Sequence, residues 1–538
     1  MANSRPSTRS MTLNKAFLKL PLRAEGEDSS LLVETFVDAG HLFTLLSNDD
    51  HQVLYGRRGT GKTHALKYLA ETLRRKGQVA LFVDMRTLGS SAGLYSDDNA
   101  PLPERATRLL VDVLASIHDQ LVNFALTETP MSHQADARLL PRLDALADEA
   151  TQVRVLGPVE RAETLQESST DKVGAALAID LAAKVRAEVG TESVHGSTVE
   201  SKRVERGQEV HRINFGGAAK RITDVVQSLP EQRLWIILDE WSVVPRDLQP
   251  YLADFLRRCV LPVAGATVKI GAIEQRTKFR IVTAPPDYVG IELGSDISAN
   301  LDLDDFMVFN NDAERAKTFM RDLLYRHVVA IYDAEGGANE APKSAEDLVA
   351  AAFTQVSAFA EFVRAAEGVP RDAVNILGLA VQKAGDEKIS VTHVRVAART
   401  WYQRDKLTSV NASDISSRLL KWIVSEVIGT RHARAFLLEQ GREHAVISVL
   451  YDARVLHVLK RGVHGGDVAG VRFDAYALDY GCYVDLISTV NAPLGLFQIV
   501  DDSNQEKFVE VPSDDYRSIR RAILDLDKFD RRVNGPRN

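Results

Sequence analysis

A glycine-rich turn at residues 54–63 limits the folds open to this chain more than any other stretch. Residues 52–55 before the turn read as a short strand, and residues 64–75 after it show the i, i+3, i+4, i+7 apolar spacing of a helix. A glycine turn between a strand and a helix is the setting of a phosphate-binding loop. Because the strand, turn and helix occur in this order, a chance match to the phosphate-loop pattern is disfavoured. The turn reads LYGRRGTGKT and fits the pattern G-x-x-x-x-G-K-[ST] through Gly56, Gly61, Lys62 and Thr63.

The residue types in this turn suit a polyphosphate ligand. Glycines leave backbone N–H groups open to phosphate oxygens and tolerate positive φ angles. A helix that begins at Lys62 adds the positive end of its dipole. We expect Lys62 to bridge the β- and γ-phosphates of ATP and the Thr63 hydroxyl to ligate Mg²⁺. The predicted nucleotide-binding residues here are Gly56, Arg58, Gly59, Thr60, Gly61, Lys62, Thr63 and His64.

A second stretch supplies carboxylates. The apolar run at residues 234–238 leads directly into Asp239 and Glu240. We predict that Asp239, at the end of a buried strand, contacts Mg²⁺, and that Glu240 polarises the water that attacks the γ-phosphate. Such a strand is common by chance, but in the same chain as Lys62 it predicts a site for ATP hydrolysis.

A third strand is predicted at residues 267–273 and ends in a polar tip. Gln275 at this tip is a candidate sensor of the γ-phosphate. Arg276, or else Arg280, is a candidate arginine finger that reaches the nucleotide of a neighbouring subunit, which implies a homo-oligomer. For each of these residues a solvated surface position is the alternative.

The bulk properties bound the class of protein. A length of 538 residues predicts two to four domains, and 45% hydrophobic and 26% charged residues are ordinary globular values. The net charge of -8 argues against a protein that coats nucleic acid non-specifically. Cys259 and Cys482 stand far apart, which predicts neither a disulfide framework nor a zinc site. Because no long apolar run is apparent, we expect no membrane association and a cytoplasmic protein.

Composition and helical spacing divide the chain into five predicted parts. The segment at about 123–210 is poor in aromatic residues and reads as a mostly helical insertion, either a partner- or DNA-facing arm or decoration. The parts are a disordered lead at 1–30, an ATPase core at 31–310, a helical lid at 311–410, a winged-helix-like domain at 411–500, and a C-terminal helix and tail at 501–538.

The winged-helix interpretation depends on a predicted order of three helices followed by a β-ribbon. The predicted ribbon has a hairpin at 479–481. A final amphipathic helix is predicted at 514–527. The three helices are predicted at 415–428, 431–439 and 443–451, and the two strands at 454–460 and 472–485.

The lid segment carries a family resemblance. Gly368 precedes Arg371 by three residues, Pro370 suits a first helical turn, and an apolar helix follows. This pattern, after the loop and acidic strand, resembles the sensor-2 helix of origin-recognition-type AAA+ ATPases of the replication-initiator clade. The resemblance spans about 40–410 and suggests a bacterial homologue.

This resemblance implies an α/β fold: a P-loop AAA+ core with a parallel sheet, a helical lid and a C-terminal winged helix. It implies a catalytic set of Lys62, Glu240, Arg276 and Arg371, in which Arg371 folds over the phosphates as the lid closes. ATP and Mg²⁺ are the implied cofactors. One departure is the strand tip, where Ile-Glu-Gln replaces the Asn, Thr or Ser usual in these ATPases and predicts slow turnover.

The partner of the C-terminal domain is left open by the sequence. Helix 443–451 and the residue after it, where base readout is expected, carry Glu443 and Asp452 and almost no basic residues. Basic residues flank them, and these could line a phosphate-contacting face: Arg431, His432, Arg434, Arg442, Arg454, Lys460 and Arg461.

Three functions remain at this point. The first is an ATP-hydrolysing AAA+ switch whose nucleotide state controls oligomerisation and binding to double-stranded DNA. The second is a STAND-type signalling ATPase in bacterial antiphage defence, with a protein partner such as a nuclease or helicase and no DNA contact. The third is a nucleotide-bound scaffold with negligible turnover.

Overall fold

The fold is described here from a computed structural model. The structure describes Tyr95, Asp97 and the following ranges: 12–21, 29–38, 40–88, 100–127, 133–150, 153–156, 208–211, 214–284, 287–304, 312–430, 435–440, 444–464, 470–487, 498–500, 506–508 and 523–534.

Helices form most of the regular structure, and those of the first part of the chain flank a sheet. They are α1 (Leu13–Leu18), α2 (Ser29–Thr35), α3 (Leu42–Leu46), α4 (Lys62–Arg75), α5 (Leu102–Thr127), α6 (His133–Ala150), α7 (Phe215–Val226) and α8 (Gln249–Cys259). The later helices are α9 (Ala313–Ala334), α10 (Ala345–Ala352), α11 (Val356–Ala366), α12 (Pro370–Ala384), α13 (Val391–Trp401), α14 (Leu407–Asn411), α15 (Asp414–Ile423), α16 (Ala445–Asp452), α17 (Tyr480–Ile487) and α18 (Leu526–Asn534).

The strands form one parallel sheet and several smaller antiparallel pairings. They are β1 (Gln52–Tyr55), β2 (Val79–Asp84), β3 (Val153–Leu156), β4 (Gln208–His211), β5 (Leu234–Asp239), β6 (Ala266–Ala272), β7 (Arg280–Ala284), β8 (Asp287–Gly290), β9 (Ser298–Asp302), β10 (Ala435–Glu439), β11 (Leu456–His464), β12 (Arg472–Leu478), β13 (Gln498–Val500) and β14 (Glu506–Phe508).

The parallel sheet has the strand order β2-β5-β6-β1-β9. The chain leaves β1 for β2 at the far edge and later returns to fill the space between them, so the strand order reverses beside β1. Ligands of open α/β sheets bind at such a reversal, outside the carboxyl ends of the strands. The glycine turn leaves β1 at this place, and the predicted α/β fold with a parallel sheet is confirmed.

Helical layers cover both faces of the sheet. Successive residues of β1 enter different layers: Leu54 packs with α4 and the lid, whereas Val53 and Tyr55 pack with α5, α6, α7 and α8. In β5, Trp235 and Ile237 alternate with their neighbours in the same way. Burial on both sides explains why these strands are apolar throughout.

The helical layer formed by α5, α6, α7 and α8 extends into the predicted insertion. Leu139, Leu143 and Leu146 of α6 are buried in the core, so the insertion cannot begin at about 123, and residues 133–150 belong to the ATPase core. Most of 151–213 lies outside the described residues. Within the described part of the chain, one helix, α5, is long and apolar enough to cross a membrane. Leu109 and Val113 of α5 are buried in this same core, which accounts for its apolar character.

The N-terminal prediction of a disordered lead at 1–30 is corrected for residues 12–21. Helix α1 buries Ala16 and Phe17 against the lid helices. The Asn14 side chain donates hydrogen bonds to the carbonyls of Gly385 (2.6 Å) and Glu387 (3.1 Å). The apolar side of this short helix finds its partner more than 300 residues away, which local patterns do not reveal.

The lid consists of α9, α10, α11, α12 and α13, and a break in the helical path separates α10 from α11. Phe353 leaves the helical path and pairs with Ile389 as an isolated bridge. The Thr354 N–H donates to the Ile389 carbonyl at 3.0 Å, which provides the hydrogen bond that the broken helix loses.

The C-terminal module comprises residues 414–487 and 523–534. Its sheet has the order β10-β12-β11, all antiparallel, and packs against α15 and α16. The predicted ribbon is present, but the predicted helix at 431–439 is wrong, because residues 435–439 form β10. Residues 431–434 and 441–443 lie outside the described residues.

A second correction in the module concerns the predicted strand at 472–485 and its hairpin at 479–481. The strand ends at Leu478, and α17 begins at Tyr480. The Asp479 carboxylate accepts hydrogen bonds from the N–H groups of Gly481 (2.9 Å) and Cys482 (3.2 Å), as a helix cap does. Most of the final helix predicted at 514–527 lies outside the described residues, which place α18 at Leu526–Asn534.

Buried ion pairs join the lid to the C-terminal module. Lys406 lies 2.9 Å from the Asp372 carboxylate and 2.6 Å from that of Asp479, and Arg454 donates to Asp372 at 3.1 Å. Burial alone would raise the pKa of Asp372, but Lys406 and Arg454 outweigh it and hold the pKa below its usual value. The two parts are therefore tied by charges that water does not reach.

We expect Asp372→Asn to lower the free energy of unfolding by about 3–5 kcal/mol, because removing one partner leaves buried charge uncompensated. Urea titration of the purified chain measures this. The matched control is Asp414→Asn, which breaks the exposed Arg418–Asp414 pair and should cost less than about 0.5 kcal/mol. Equal losses in the two variants would contradict a structural role for the buried pairs.

Candidate functional site

The glycine turn forms an open loop between β1 and α4. Gly59 and Gly61 have φ angles of 84° and 97°, a region that costs glycine little. A Cβ atom on Gly59 would lie 2.7 Å from the Cβ of Arg371, so only glycine allows the lid to approach this closely. Thr60 stabilises the turn from inside, where its hydroxyl donates to the Arg57 carbonyl at 2.8 Å.

Lys62 lies under the loop. Its ammonium group donates to the carbonyls of Gly56 (2.8 Å) and Arg57 (3.0 Å), and its side chain is buried. Burial lowers the pKa of Lys62, while the nearby carboxylates of Asp239 and Glu240 oppose this shift. The cation is thus held at the centre of the loop, where phosphate oxygens can replace the carbonyls as its partners.

The acidic strand meets the loop as the sequence predicts. The Thr63 hydroxyl donates to Asp239 Oδ2 at 2.6 Å. Gly271 of β6 makes room for this contact, because a Cβ there would lie 2.5 Å from Asp239 Oδ1. Burial raises the pKa of Asp239 to about 6, although the hydrogen bond from Thr63 lowers it. The positive charge of Lys62 also lowers the pKa of Asp239, but burial outweighs it.

Thr63 and Asp239 fit a magnesium ion. Their adjacent oxygens are of the kind Mg²⁺ prefers, and at nucleotide sites the ion takes one or two protein ligands together with phosphates and water. Within the described part of the chain, no three His, Cys, Asp or Glu side chains are grouped to hold a metal unaided. This donor set therefore suits an ion that arrives with a phosphate ligand.

Glu240 follows Asp239 with a backbone uncommon for glutamate. Its φ angle is 57°, in the left-handed region, and its N–H donates to Asp239 Oδ1 at 2.9 Å. Non-glycine residues in this region cost free energy and occur often at active sites. The turn brings a partly exposed carboxylate beside the predicted metal ligand, where it can accept a proton from water.

The lid touches the loop directly. The Arg371 N–H at the start of α12 donates to the Gly59 carbonyl at 3.2 Å. Arg371, Arg58 and Arg276 line a cleft of about 420 Å³ together with Asp405, Asp452 and Arg454. We call this the arginine cleft. It collects three of the predicted site residues on one side of the loop.

Arg57 within the loop connects it to three other parts of the chain. Its side chain is buried, and its guanidinium donates to Asp304 Oδ1 (2.9 Å) and to the Glu367 carbonyl of the lid (3.1 Å). It also contacts His457 of the C-terminal module, while Tyr451 donates to Asp304 Oδ2 at 3.1 Å. The core, the lid and the C-terminal module therefore all contact Arg57 of the loop.

His457 is suited to face this cation. Burial, together with the positive charge of Arg57, lowers the pKa of His457 and keeps its ring neutral. Its Nδ1 can then accept from Arg57 while Nε2 donates to Asp479 at 3.1 Å. His457 therefore connects the loop to the buried ion pairs of the C-terminal module.

Two predicted nucleotide-binding side chains point elsewhere. The His64 ring contacts the Leu32 carbonyl at 2.9 Å and packs against Phe36, so it joins α4 to α2 and does not face the loop. Gln275 lines a different cavity, of about 440 Å³, against the sheet of the C-terminal module. Both predictions had relied on sequence position beside a motif, which does not determine where a side chain points.

The finger candidates are both held within the chain. Arg276 forms an ion pair with Asp452 of α16. Arg280 pairs with Glu292 at 2.7 Å, with both side chains about half exposed. Both guanidinium groups are therefore engaged in ion pairs within this chain.

The predicted basic face of the C-terminal domain is only partly available. Arg454 pairs with Asp372 of the lid, and Arg461 lies 2.6 Å from Glu274 and 2.8 Å from Asp302 of the core. Arg431, His432, Arg434 and Arg442 lie outside the described residues. One of these predicted phosphate contacts, Arg454, thus faces the lid, and the other, Arg461, faces the core.

Sequence reasoning missed Arg57, Asp304, Tyr451 and His457. Asp304 lies two residues after the end of β9, whose sequence SANLD is not an apolar run, so the pattern that marks Asp239 at the end of β5 does not mark Asp304. Arg57 occupies a variable position of the loop motif, and its partners stand as far as 400 residues away.

Known proteins resemble part or most of this chain. Residues 21–82 match the model of the family described as ORC-CDC6-like, and the predicted resemblance is confirmed for this segment with its strand, loop and helix. No curated protein matches the chain. The structure of the Aeropyrum pernix Orc1 protein in complex with DNA is 14% identical, covers 85% of this chain and 95% of that chain, and superimposes with a TM-score of 0.31. A score this low supports no inference about the present chain.

Proposed function

We propose that this chain, whose residues 21–82 are of the origin-recognition type, is an ATP-binding and ATP-hydrolysing AAA+ switch. The observation that carries this proposal is the contact of Thr63 with Asp239 beside the buried Lys62. Two separate stretches of sequence, the glycine turn and the acidic strand, meet there and bring together a cation, two oxygens suited to a metal ion and an adjacent carboxylate. No other chemistry uses this combination as directly as a magnesium-bound triphosphate.

The roles follow from the positions. Lys62 would neutralise the β- and γ-phosphates, and Thr63 with Asp239 would hold Mg²⁺, whose charge stabilises the phosphates. Glu240 would accept a proton from the attacking water. Arg371 would approach the phosphates from the lid, because its backbone already contacts Gly59. Gln275 would take no part, since it lines the other cavity.

The nucleotide state would control the C-terminal module. Arg57 links the loop to this module, so a loop that moves on binding phosphate changes the module's contacts. We propose that the consequence is assembly into a homo-oligomer and binding of double-stranded DNA. A cytoplasmic location and a bacterial source are part of the same proposal.

One observation favours the second function, a STAND-type ATPase with a protein partner. Arg454 pairs with Asp372 of the lid and Arg461 with Glu274 of the core, which removes two cations from the surface that would contact DNA phosphates. Under this alternative the module would bind a protein such as a nuclease or helicase, in antiphage defence.

A DNA-binding titration separates the two functions. We expect duplex DNA to bind more tightly with Mg²⁺-ATP than without it, and the logarithm of the binding constant to fall linearly with the logarithm of salt concentration. The control is Lys62→Ala, for which ATP should make no difference. Absence of DNA binding in both nucleotide states would favour the protein partner. Absence of heat on mixing the chain with Mg²⁺-ATP would end both proposals.

A further inference from the structure

Asp452 is the acidic side chain that pairs with Arg276 in the arginine cleft. It lies at the C-terminal end of α16, and its side chain is 10% exposed. Its Oδ2 meets the Arg276 guanidinium. Its Oδ1 is buried and has no hydrogen-bond partner in the structure. A buried carboxylate satisfied on one oxygen alone is costly, so stability does not explain its position.

The side chains around Asp452 are of the kind that binds a phosphate group. Arg58 of the loop, Arg276 and Arg371 line the same cleft with Arg454, so four cations surround one open space of about 420 Å³. Arg58 and Lys62 lie close enough to act on the Asp452 carboxylate electrostatically, after burial and Arg276. The cleft thus holds an anionic group that belongs to the chain itself.

The residue before Asp452 faces the other side of the loop. Tyr451 donates to Asp304, which in turn holds both the backbone N–H (3.2 Å) and the side chain (2.9 Å) of Arg57. The last turn of α16 therefore contacts Arg276 through Asp452 and supports Arg57 of the loop through Asp304. A shift of this turn large enough to withdraw Asp452 also disturbs the support of Arg57.

We propose that Asp452 is an internal competitor of the nucleotide's terminal phosphate, and that ATP releases α16 by taking over the arginines that Asp452 occupies. This rests on the proposed ATP-binding function and adds how the site is regulated. While Arg276 forms its ion pair with Asp452, as in this structure, it cannot act as an arginine finger. ADP lacks the terminal phosphate and leaves the contact in place.

The test compares Asp452→Asn with a variant of a carboxylate outside the cleft, Asp414→Asn, in the full-length chain. The control residue Asp414 is exposed, pairs with Arg418 and does not line the cleft, so Asp414→Asn serves as the matched variant. Calorimetry with Mg²⁺-ATP should give about fivefold or greater tightening for Asp452→Asn, a coupling of ordinary size. Its affinity for ADP, and both affinities of Asp414→Asn, should stay within about twofold of wild type.

A second readout follows α16 itself. Amide hydrogen exchange in residues 445–452 should be faster with ATP than with ADP in the wild-type chain, and fast without nucleotide in Asp452→Asn. Arg276→Gln breaks the same pair from the other side and should give the same fast exchange without tightening ATP. These outcomes would support competition between Asp452 and phosphate.

The opposite outcomes separate two failures. Normal ATP binding that Asp452→Asn leaves unchanged or weakens would overturn the competition and leave the ATPase proposal intact. The absence of ATP binding in every variant would overturn both the competition and the ATPase proposal. Slow exchange in residues 445–452 of Asp452→Asn would show that α16 stays docked without this carboxylate, which would overturn its release by ATP.

Discussion

Replacing Glu240 by glutamine should lower steady-state ATP hydrolysis by about 10²–10⁴-fold, because the amide cannot accept the proton of the attacking water. The substitution keeps the size of the side chain and the left-handed backbone at this position. It leaves Lys62, Thr63 and Asp239 in place, so ATP affinity should change by less than about threefold, since ground-state binding is untouched. Release of phosphate over many turnovers, together with calorimetry, measures the two quantities separately.

The matched control for this variant is Glu231→Gln. Glu231 is exposed, precedes the opposite end of β5 and contacts Gln78, far from the carboxyl edge of the sheet. It undergoes the same chemical change and should hydrolyse ATP at the wild-type rate. Hydrolysis by Glu240→Gln at the wild-type rate would show that another group, or water alone, accepts the proton. Undetectable turnover in the wild type would instead favour the scaffold.

Replacing Lys62 by alanine should weaken ATP binding by about a hundredfold or more. Hydrogen bonds to charged groups contribute roughly 1.5–3 kcal/mol each, and Lys62 can donate two to the β- and γ-phosphates. A loss of about 2.8 kcal/mol corresponds to a hundredfold change in the dissociation constant. The ammonium is already buried between the Gly56 and Arg57 carbonyls, so little side-chain ordering opposes its contact with phosphate.

Arg75→Ala serves as the control for this loss of charge. Arg75 lies in the last turn of the same helix, is about half exposed and pairs with Glu71. Its removal changes the net charge by the same amount but should alter ATP affinity by less than about twofold, because exposed charges act weakly at a distance. Equal weakening in both variants would point to a general electrostatic effect, and unchanged affinity in Lys62→Ala would place the nucleotide elsewhere.

The parts of the fold that the sequence predicted correctly depend on local patterns. Gly61 and Lys62 stand at a strand-to-helix turn, and the apolar run before Asp239 reads as a buried strand wherever it lies in the chain. Their meeting at Thr63 follows from the parallel sheet, since both strands end at the same edge. These features predicted the centre of the candidate site.

The parts that the sequence predicted wrongly depend on partners. Residues 435–438 are four buried residues that could belong to a helix or a strand, and only pairing with β12 decides for the strand. Asp479 looks like a hairpin residue until its carboxylate caps α17. His64 and Gln275 were placed by their distance from a motif, and the direction of a side chain depends on what surrounds it.

The enclosure of Arg57 has a consequence for how this polypeptide can be divided. The guanidinium lies within the ATPase core, yet His457 and, through Asp304, Tyr451 complete its surroundings. A fragment that stops after the lid would expose this cation to water and loosen the turn from beneath. The glycine turn and the C-terminal module thus form one structural unit, and neither could be exchanged for an unrelated segment without rebuilding the other.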